Sequence, residues 1–259
     1  MNKKKDMLKQ ERQREILKII ESQGNAKVPA LAGHFAVTEM TIRRDLLELG
    51  KRGLLERVHG GALLQNDRRG NESPVYERLL DRLDMKQQIG QAAARLIKDG
   101  DTIFLGSGST TMAVAEALLN HRNLSVYTNA LNIADALFHY PVKVTVIGGS
   151  LRRTELSLIG DQTEKTIQGL RVDKVIIGIR GIDPVKGLTS DHMEELLTDQ
   201  AILNISKTII VVADHTKLGH VAAIRTAPIT AITRIVTNKG GPKDILQAIR
   251  RMGVEILEV

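Results

Sequence analysis

The chain has 259 residues, of which 42% are hydrophobic and 2% aromatic, and it contains no cysteine. This length suffices for one large domain or two unequal ones, and the lack of cysteine excludes disulfides, thiol nucleophiles and cysteine-based zinc sites. The net charge of +7 is concentrated in residues 1–66, which hold 13 Lys and Arg against 8 Asp and Glu. The first quarter of the chain is thus basic, and the charges of the remainder are nearly balanced. This distribution favours contact with a polyanion, although simple solubility would also account for the excess of positive charge.

No apolar run approaches the length of a membrane span, and the opening residues MNKKKDMLKQERQ contain no apolar signal region. We therefore expect a cytoplasmic protein that is neither secreted nor inserted in a membrane. The lack of cysteine is compatible with a reducing compartment but does not prove one. The low aromatic content argues against stacking on single-stranded bases as the main binding mode.

Helical patterns dominate the start of the chain. Met7–Ile20 carries an apolar stripe and is followed by Gly24, which is typical of a helix end. Pro29 stands where a helix can begin, and the sequence PALAGHF around it predicts a short second helix. After a brief turn, VTEMTIRRDLLEL at Val37–Leu49 predicts a third helix. This order of elements is that of a helix-turn-helix motif.

The third helix has two distinct faces. Ile42, Leu46 and Leu49 are spaced to line one apolar face. Arginine can bond guanine in a bidentate way and threonine can offer a hydroxyl or methyl group, so the other face suits a DNA major groove. From this helix alone, an ordinary amphipathic helix with solvated charges is an equally good interpretation. The candidates for DNA contact, including the helix cap, are Thr38, Met40, Thr41, Arg43 and Arg44.

The stretch GLLERVHGGALL follows directly after this helix. Its apolar segments Leu54–Val58 and Ala62–Leu64 flank two glycines, which predicts a two-stranded hairpin with a glycine turn. A hairpin in this place is a wing, and Arg57 and His59 are positioned there to contact phosphate or the minor groove.

These residues resemble the winged helix-turn-helix of the DeoR family of bacterial transcriptional regulators. The combination of TIRRDL with a following HGGA is more specific than a general helix-turn-helix pattern. The resemblance implies that the N-terminal domain, residues 1–66, binds double-stranded operator DNA. The matching segments, within Arg14 to Ala62, are VTEMTIRRDL at 37–46, Gly53-Leu54-Leu55 and RVHGGA at 57–62.

The rest of the chain alternates between strand and helix patterns. Polar QNDRRGNESP at Gln65–Pro74 predicts a linker, and Val75–Asp84 predicts a bridging helix. The apolar strand segments are at 102–105, 124–128, 142–147, 172–179, 208–213, 234–237 and 254–257. Helical patterns between them predict an α/β sandwich with a mainly parallel sheet. The predicted divisions are a winged helix-turn-helix at 1–66, a linker and bridging helix at 67–84, and a second domain at 85–259.

The loop GSGSTT after the first of these strands is rich in glycine and hydroxyl groups. It precedes a predicted helix, whose free N–H groups favour an anion, so phosphate is the natural ligand. The alternative is a tight turn with a Ser/Thr cap, and the pattern matches neither a P-loop nor GxGxxG. The residues of this loop are Gly106, Ser107, Gly108, Ser109, Thr110 and Thr111.

Other loops fall at the same edge of the predicted sheet, where ligands of such folds bind. Each charged residue in them, taken singly, is more typical of an ordinary surface charge. Their shared placement suggests that they converge near the glycine-rich loop: Asp183, Lys186, Glu194, Asp214 and Lys217. The histidine and carboxylate spacings indicate no metal site, so neither a metal nor a cofactor is expected, and His192 is interpreted as a residue at a helix start.

GSGSTT, YTNAL at 127–131, IGG with LRR at 147–153, GIRGID and ADHTKLG resemble the C-terminal effector domain of the DeoR family. That domain is similar in fold to ribose-5-phosphate isomerase and the CoA-transferases. The resemblance implies a phosphorylated sugar, or related metabolite, as effector. Besides the loop Gly106 to Thr111, the effector contacts that it implies are Thr128, Asn129, Gly148, Gly149, Asp183, Glu194 and Lys217.

Two functions follow from these patterns. The first is a repressor of a carbohydrate operon, controlled by a phosphorylated sugar and acting as a homo-oligomer, dimer or tetramer, because one helix reads few base pairs. The second is a sugar-phosphate isomerase with an accessory DNA-binding domain, in which Asp183 or Glu194 carries a proton and Lys217 stabilises an enediolate. We favour the regulator, since Pro184 stands where the isomerases have a second acid and a DNA-binding head would serve no purpose in an isomerase.

Overall fold

The computed structural model describes residues 9–52, 54–58, 60–63 and 74–259. The chain divides into two compact units, Met1–Ser73 and Pro74–Val259. This division falls inside the segment 67–84 that was predicted to link the domains, and the finer boundaries stay predictions. The predicted linker 65–74 lies outside the described residues, except for Pro74.

The described part of the first unit contains helices and short strands in the predicted order. Its elements are α1 (Lys9–Gln23), β1 (Asn25–Lys27), α2 (Val28–Phe35), α3 (Glu39–Lys51), β2 (Glu56–Val58) and β3 (Gly61–Leu63). The strands form an antiparallel sheet in the order β1-β3-β2. The predicted two-stranded hairpin is confirmed by the pairing of β2 with β3, and β1 is a third strand that was not predicted. A strand of three residues has too little periodicity to be recognised in the sequence.

The sequence patterns predict that α1 begins at Met7 and α2 at Pro29. The predicted start of α1 at Met7 lies outside the described residues. α2 begins at Val28 rather than at Pro29, with Lys27 in extended conformation before it. Proline is tolerated in the first helical turn because the backbone N–H groups there have no intrahelical partner.

The apolar face predicted for α3 is confirmed. Ile42, Leu46 and Leu49 have 0%, 1% and 1% of their surface exposed. Between them lies an equally buried acid, Asp45, whose Oδ2 accepts a hydrogen bond of 2.6 Å from Nε of Arg12. The core of this unit is thus apolar around one internal ion pair that joins α1 to α3.

The second unit is built on a seven-stranded parallel sheet in the order β15-β14-β12-β9-β4-β5-β6. These seven strands correspond to the seven predicted segments. Their bounds are β4 (Thr102–Leu105), β5 (Ser125–Thr128), β6 (Lys143–Val146), β9 (Lys174–Ile177), β12 (Ile209–Val212), β14 (Arg234–Thr237) and β15 (Glu255–Glu258). The helices are α4 (Val75–Leu80), α5 (Leu83–Ala94), α6 (Ser109–Glu116), α7 (Leu131–Leu137), α8 (Asp161–Gln168), α9 (Met193–Leu203) and α10 (Lys243–Arg251).

Successive residues of a strand point to opposite faces of the sheet, so the apolar strands present apolar side chains on both faces. Helices cover both of these faces. Val175 and Ile177 of β9 belong to an apolar layer that includes residues of α8, α9 and α10. Ile176 between them belongs to a second layer that includes residues of α5, α6 and α7. The predicted fold class, a winged helix-turn-helix joined to a mainly parallel α/β sandwich, is confirmed.

The second unit also contains small antiparallel elements that the sequence patterns did not predict. They are the hairpin of β7 (Ser150–Arg152) with β8 (Ser157–Ile159) and the sheet of β10 (Gly181–Asp183), β11 (Gly187–Ser190) and β13 (Ile224–Ala227). Among the described residues, no helix combines the length and apolar character needed to cross a bilayer.

Candidate functional site

The exposed face of α3 holds most of the predicted DNA contacts. Thr38 caps the helix, since its Oγ1 accepts a hydrogen bond of 3.2 Å from the backbone N–H of Thr41. Met40 is 60% exposed. Arg43 donates to Glu39 over 3.1 Å, one turn earlier on the surface. Arg44 is exposed and makes no hydrogen bond or ion pair with the described part of the chain.

The wing residues are described only in part. The backbone of Arg57 lies in β2 and is paired with Ala62 of β3. The side chain of Arg57 and the whole of His59 lie outside the described portion of the structure. Their predicted contacts with phosphate or the minor groove stay predictions.

One cleft of the second unit lies at the carboxyl ends of β4, β9 and β12, and its space, including the open solvent at its mouth, is about 890 Å³. Residues 106–108 connect β4 to α6. Gly108 precedes the helix with a φ of 128°, a backbone conformation that residues with a Cβ rarely adopt. The first N–H groups of α6 lack intrahelical partners, so this end of the cleft suits an anion.

Cationic side chains surround the same space. They are Arg78, Arg82, Lys86, Arg180 and Lys217. Lys217 is partly buried, and its Nζ makes no hydrogen bond or ion pair with the described residues. Burial lowers the pKa of Lys217, and the charge of Asp214 opposes that shift. An incoming anion would therefore meet a lysine whose Nζ has no bonded partner among the described residues.

Lys86 and Arg82 are held more tightly. Nζ of Lys86 donates to the backbone carbonyls of Arg78 and, over 2.6 Å, of Asp81. Burial lowers the pKa of Lys86 to about 8. Arg82 has a φ of 51° and joins α4 to α5, and its Nη1 lies 3.6 Å from Oδ1 of Asp214. The short segment around these residues thus forms one wall of the cleft.

Three carboxylates form another wall: Glu155, Glu195 and Asp199. Glu155 is buried and pairs with Arg78 and, at 3.6 Å, with Arg180. Glu195 accepts hydrogen bonds of 3.3 Å from Arg152 and from Ser157. Burial, and after it the charge of Glu155, raises the pKa of Glu195.

The structure brings together fewer than half of the predicted effector contacts. Those that line the cleft are Gly106, Ser107, Gly108, Ser109, Thr110 and Lys217. Asp214, which was also expected near the loop, lines it too. Their contact with an effector stays a prediction, but their convergence is a property of the fold.

Three other predicted residues do not line the cleft, and their hydroxyl and amide groups bond to backbone atoms. Thr111 donates to the carbonyl of Gly108 over 2.9 Å. Oγ1 of Thr128 accepts from the N–H of Ala130 over 3.1 Å. Nδ2 of Asn129 donates to the carbonyl of Leu158 over 3.0 Å. The strand order explains the last two, because β5 lies beyond β4, away from β9 and β12.

The remaining predicted residues also lie outside the cleft lining. The carbonyl of Gly148 accepts from Thr163 over 2.7 Å, and a Cβ on Gly149 would fall 1.9 Å from the same hydroxyl oxygen. Oδ1 of Asp183 accepts from the backbone of Val185 over 2.8 Å, closing the turn between β10 and β11. The side chain of Glu194 is 74% exposed. Lys186, expected in the same group, is exposed as well.

The cleft residues of α4, α5 and α9 were not among the predicted contacts. Arg78, Arg82 and Lys86 come from the predicted bridging segment and its surroundings, where no motif marks them. Glu195 and Asp199 stand one turn apart on α9, and this spacing was the available signal. Among the described residues, no group of three or more His, Asp and Glu side chains is placed to hold a metal ion.

Both units match models of one protein family. The model described as a DeoR-like helix-turn-helix domain matches residues 12–68, and the DeoR C terminal sensor domain matches residues 81–239. The structure of ribose 5-phosphate isomerase A from Methanocaldococcus jannaschii aligns with a TM-score of 0.39 and 16% identity, over 53% of this chain and 55% of that chain.

Curated relatives match over most of their length. The glycerol-3-phosphate regulon repressor of Escherichia coli K12 is 34% identical, over 94% of this chain and 96% of the relative. The transcriptional repressor CsqR of the same strain is 31% identical, over 94% and 93%. The lactose phosphotransferase system repressor of Staphylococcus aureus N315 is 32% identical, over 82% and 85%. The chain therefore belongs to the DeoR family, whose helix-turn-helix and sensor domains account for its two units.

Proposed function

We propose that the chain is a repressor of a carbohydrate catabolism operon, and that a phosphorylated sugar in the cleft of the second unit lowers its affinity for operator DNA. The observation that carries the proposal is the convergence of the 106–110 loop, the start of α6 and Lys217 on one cleft. Free N–H groups, hydroxyls and an unpaired lysine suit a phosphate monoester. The names of the relatives, which include a glycerol-3-phosphate regulon repressor and a phosphotransferase system repressor, support the same class of effector.

The protein would act in the cytoplasm, on the nucleoid when bound to DNA, as a homo-oligomer on repeated half-sites, because one recognition helix reads only a few base pairs. It would regulate rather than catalyse. The isomerase alternative named Asp183 and Glu194 as proton carriers, and neither lines the cleft. No observation favours that alternative.

The proposal is tested by a thermal-shift screen of the full chain against sugar phosphates, with the free sugars beside them. A ligand that binds the native state raises the melting temperature with concentration. We expect a shift with a phosphorylated sugar and none with its free counterpart, followed by release of a protein–DNA complex on titration. A response to free sugars alone would contradict the phosphate assignment.

Arg44→Ala is expected to weaken specific operator binding by about 1–3 kcal/mol and to relax base preference, because an exposed arginine on α3 can contact a guanine edge. The measurement is a binding titration with operator and with unrelated DNA. The matched control is Lys18→Ala, which removes one exposed positive charge from α1. Equal losses on both DNAs in Arg44→Ala would assign it a phosphate contact instead.

Lys217→Ala is expected to weaken effector binding about tenfold or more, since it removes a charge-assisted contact, while DNA binding without effector is retained. Calorimetry with the sugar phosphate from the screen measures the first effect and operator titration the second. Lys186→Ala is the control, because it removes an exposed lysine outside the cleft. Loss of DNA binding in Lys217→Ala alone would show that the two sites are not separate.

A further inference from the structure

The carboxylate wall of the cleft contains one acid that has no partner among the described residues. Asp199 lines the cleft, and its side chain makes no hydrogen bond or ion pair with the described residues. It stands one turn after Glu195 on α9, so both carboxylates share a face of the helix. The carboxylate of Glu195, by contrast, is bonded to Arg152 and Ser157.

The arginines near this wall are engaged with the other two carboxylates. Arg78 and Arg180 pair with Glu155, and Arg152 lies 3.3 Å from Glu195. Glu155 is 5% exposed and lines the cleft, yet its Oε2 is buried without a hydrogen-bond partner. Buried acceptors normally find a donor, so Oε2 of Glu155 is a second acceptor at this end of the cleft that lacks one among the described residues.

The electrostatics of Asp199 also favour a cation beside it. Burial, and then the charge of Glu195, raises the pKa of Asp199 well above its usual range. Two like charges one helical turn apart in a partly buried place are unfavourable unless a proton or a positive group is added. A ligand hydroxyl would supply a hydrogen bond but no charge. An ammonium group would supply three donors and the missing positive charge.

We propose that Asp199, with Glu195 beside it, binds an ammonium group of the effector, so that the effector is a phosphorylated amino sugar. The phosphate would lie at the 106–110 loop and Lys217, and the amino group at the carboxylate wall of the same cleft. This inference rests on the proposed function, because it describes the second end of the same ligand. Asp199 is then a specificity-determining residue.

The test is calorimetry of the full chain with pairs of probes that differ only in the amino group. They are glucosamine 6-phosphate against glucose 6-phosphate, and galactosamine 6-phosphate against galactose 6-phosphate, with inorganic phosphate as a further probe. We expect one amino compound to bind at least tenfold more tightly than its hydroxyl counterpart. In Asp199→Asn, which keeps the shape but not the charge, this ratio is expected to fall to near one.

Asp244→Asn is the matched control, since it makes the same change at an exposed position on α10 and should keep the wild-type ratio. Equal or tighter binding of the hydroxyl compounds would overturn the inference and leave the phosphate site standing. A preference that survives in Asp199→Asn would overturn the role of this residue. No binding by any probe, inorganic phosphate included, would count against both the inference and the proposed function.

Discussion

Replacing Arg12 with alanine is expected to destabilise the first unit by about 3–5 kcal/mol, because it would leave the buried carboxylate of Asp45 without its ionic partner. Nε of Arg12 lies 2.6 Å from Oδ2 of Asp45, and the side chain of Asp45 is 1% exposed. The other described contact of that carboxylate is a hydrogen bond of 3.3 Å from Gln13. A neutral amide cannot compensate the desolvation of a full charge.

The loss is measured by hydrogen exchange of the α3 amides in the full chain, which reports the opening of this unit directly. The control is Lys9→Ala, which breaks the exposed pair of Lys9 with Glu48 and should change stability by less than about 1 kcal/mol. The double replacement Arg12→Met with Asp45→Leu should recover much of the loss, because it removes both charges. Unchanged exchange in Arg12→Ala would contradict a structural role for this pair.

Gly90→Ala is expected to destabilise the second unit by about 3 kcal/mol and to weaken effector binding. A Cβ on Gly90 of α5 would lie 2.4 Å from the carbonyl oxygen of Ala113 on α6. The atom it meets is backbone, so the two helices would have to separate. α6 begins at the glycine-rich loop, and its displacement would disturb the anion end of the cleft.

Denaturant unfolding followed by tyrosine fluorescence suits this measurement, because the three tyrosines of the chain, Tyr76, Tyr127 and Tyr140, all lie in the second unit. Gln91→Ala is the control, since it adds no atoms at an exposed position of the same helix. If Gly90→Ala were as stable as this control, the close approach of α5 to α6 would be wrong.

Sequence patterns predicted burial and secondary structure correctly where these depend on a single helix or strand. The apolar face of α3 follows from helical spacing, so Ile42, Leu46 and Leu49 were predicted to be buried, and they are. The seven strands of the sheet are short apolar runs between helices, and all seven were recognised. Burial of Asp45 could not be foreseen in the same way, because it depends on Arg12, which reaches it from another helix.

The lining of the cleft likewise depends on residues that are distant in the sequence. Ser107 and Lys217 follow strands that are near one another in the sheet, and they line one space. Thr128 ends β5 and Gly148 follows β6, but these strands lie towards one edge of the sheet, and strand order cannot be derived from spacing along the chain. The spacing of Asp199 from Glu195 places both on one face of a helix but does not show what that face meets, so the place of Asp199 in the cleft became visible only with the fold.

The first residues of the second unit hold one wall of the cleft in place. Val75, the second residue of the second unit, is fully buried and its N–H donates to the carbonyl of Thr154 over 2.7 Å. Arg78 and Arg82 follow shortly after and hold Glu155 and Asp214. A bound anion would compete with these acids for the two arginines, so residues 75–82 are a part of the second unit on which effector binding would act directly.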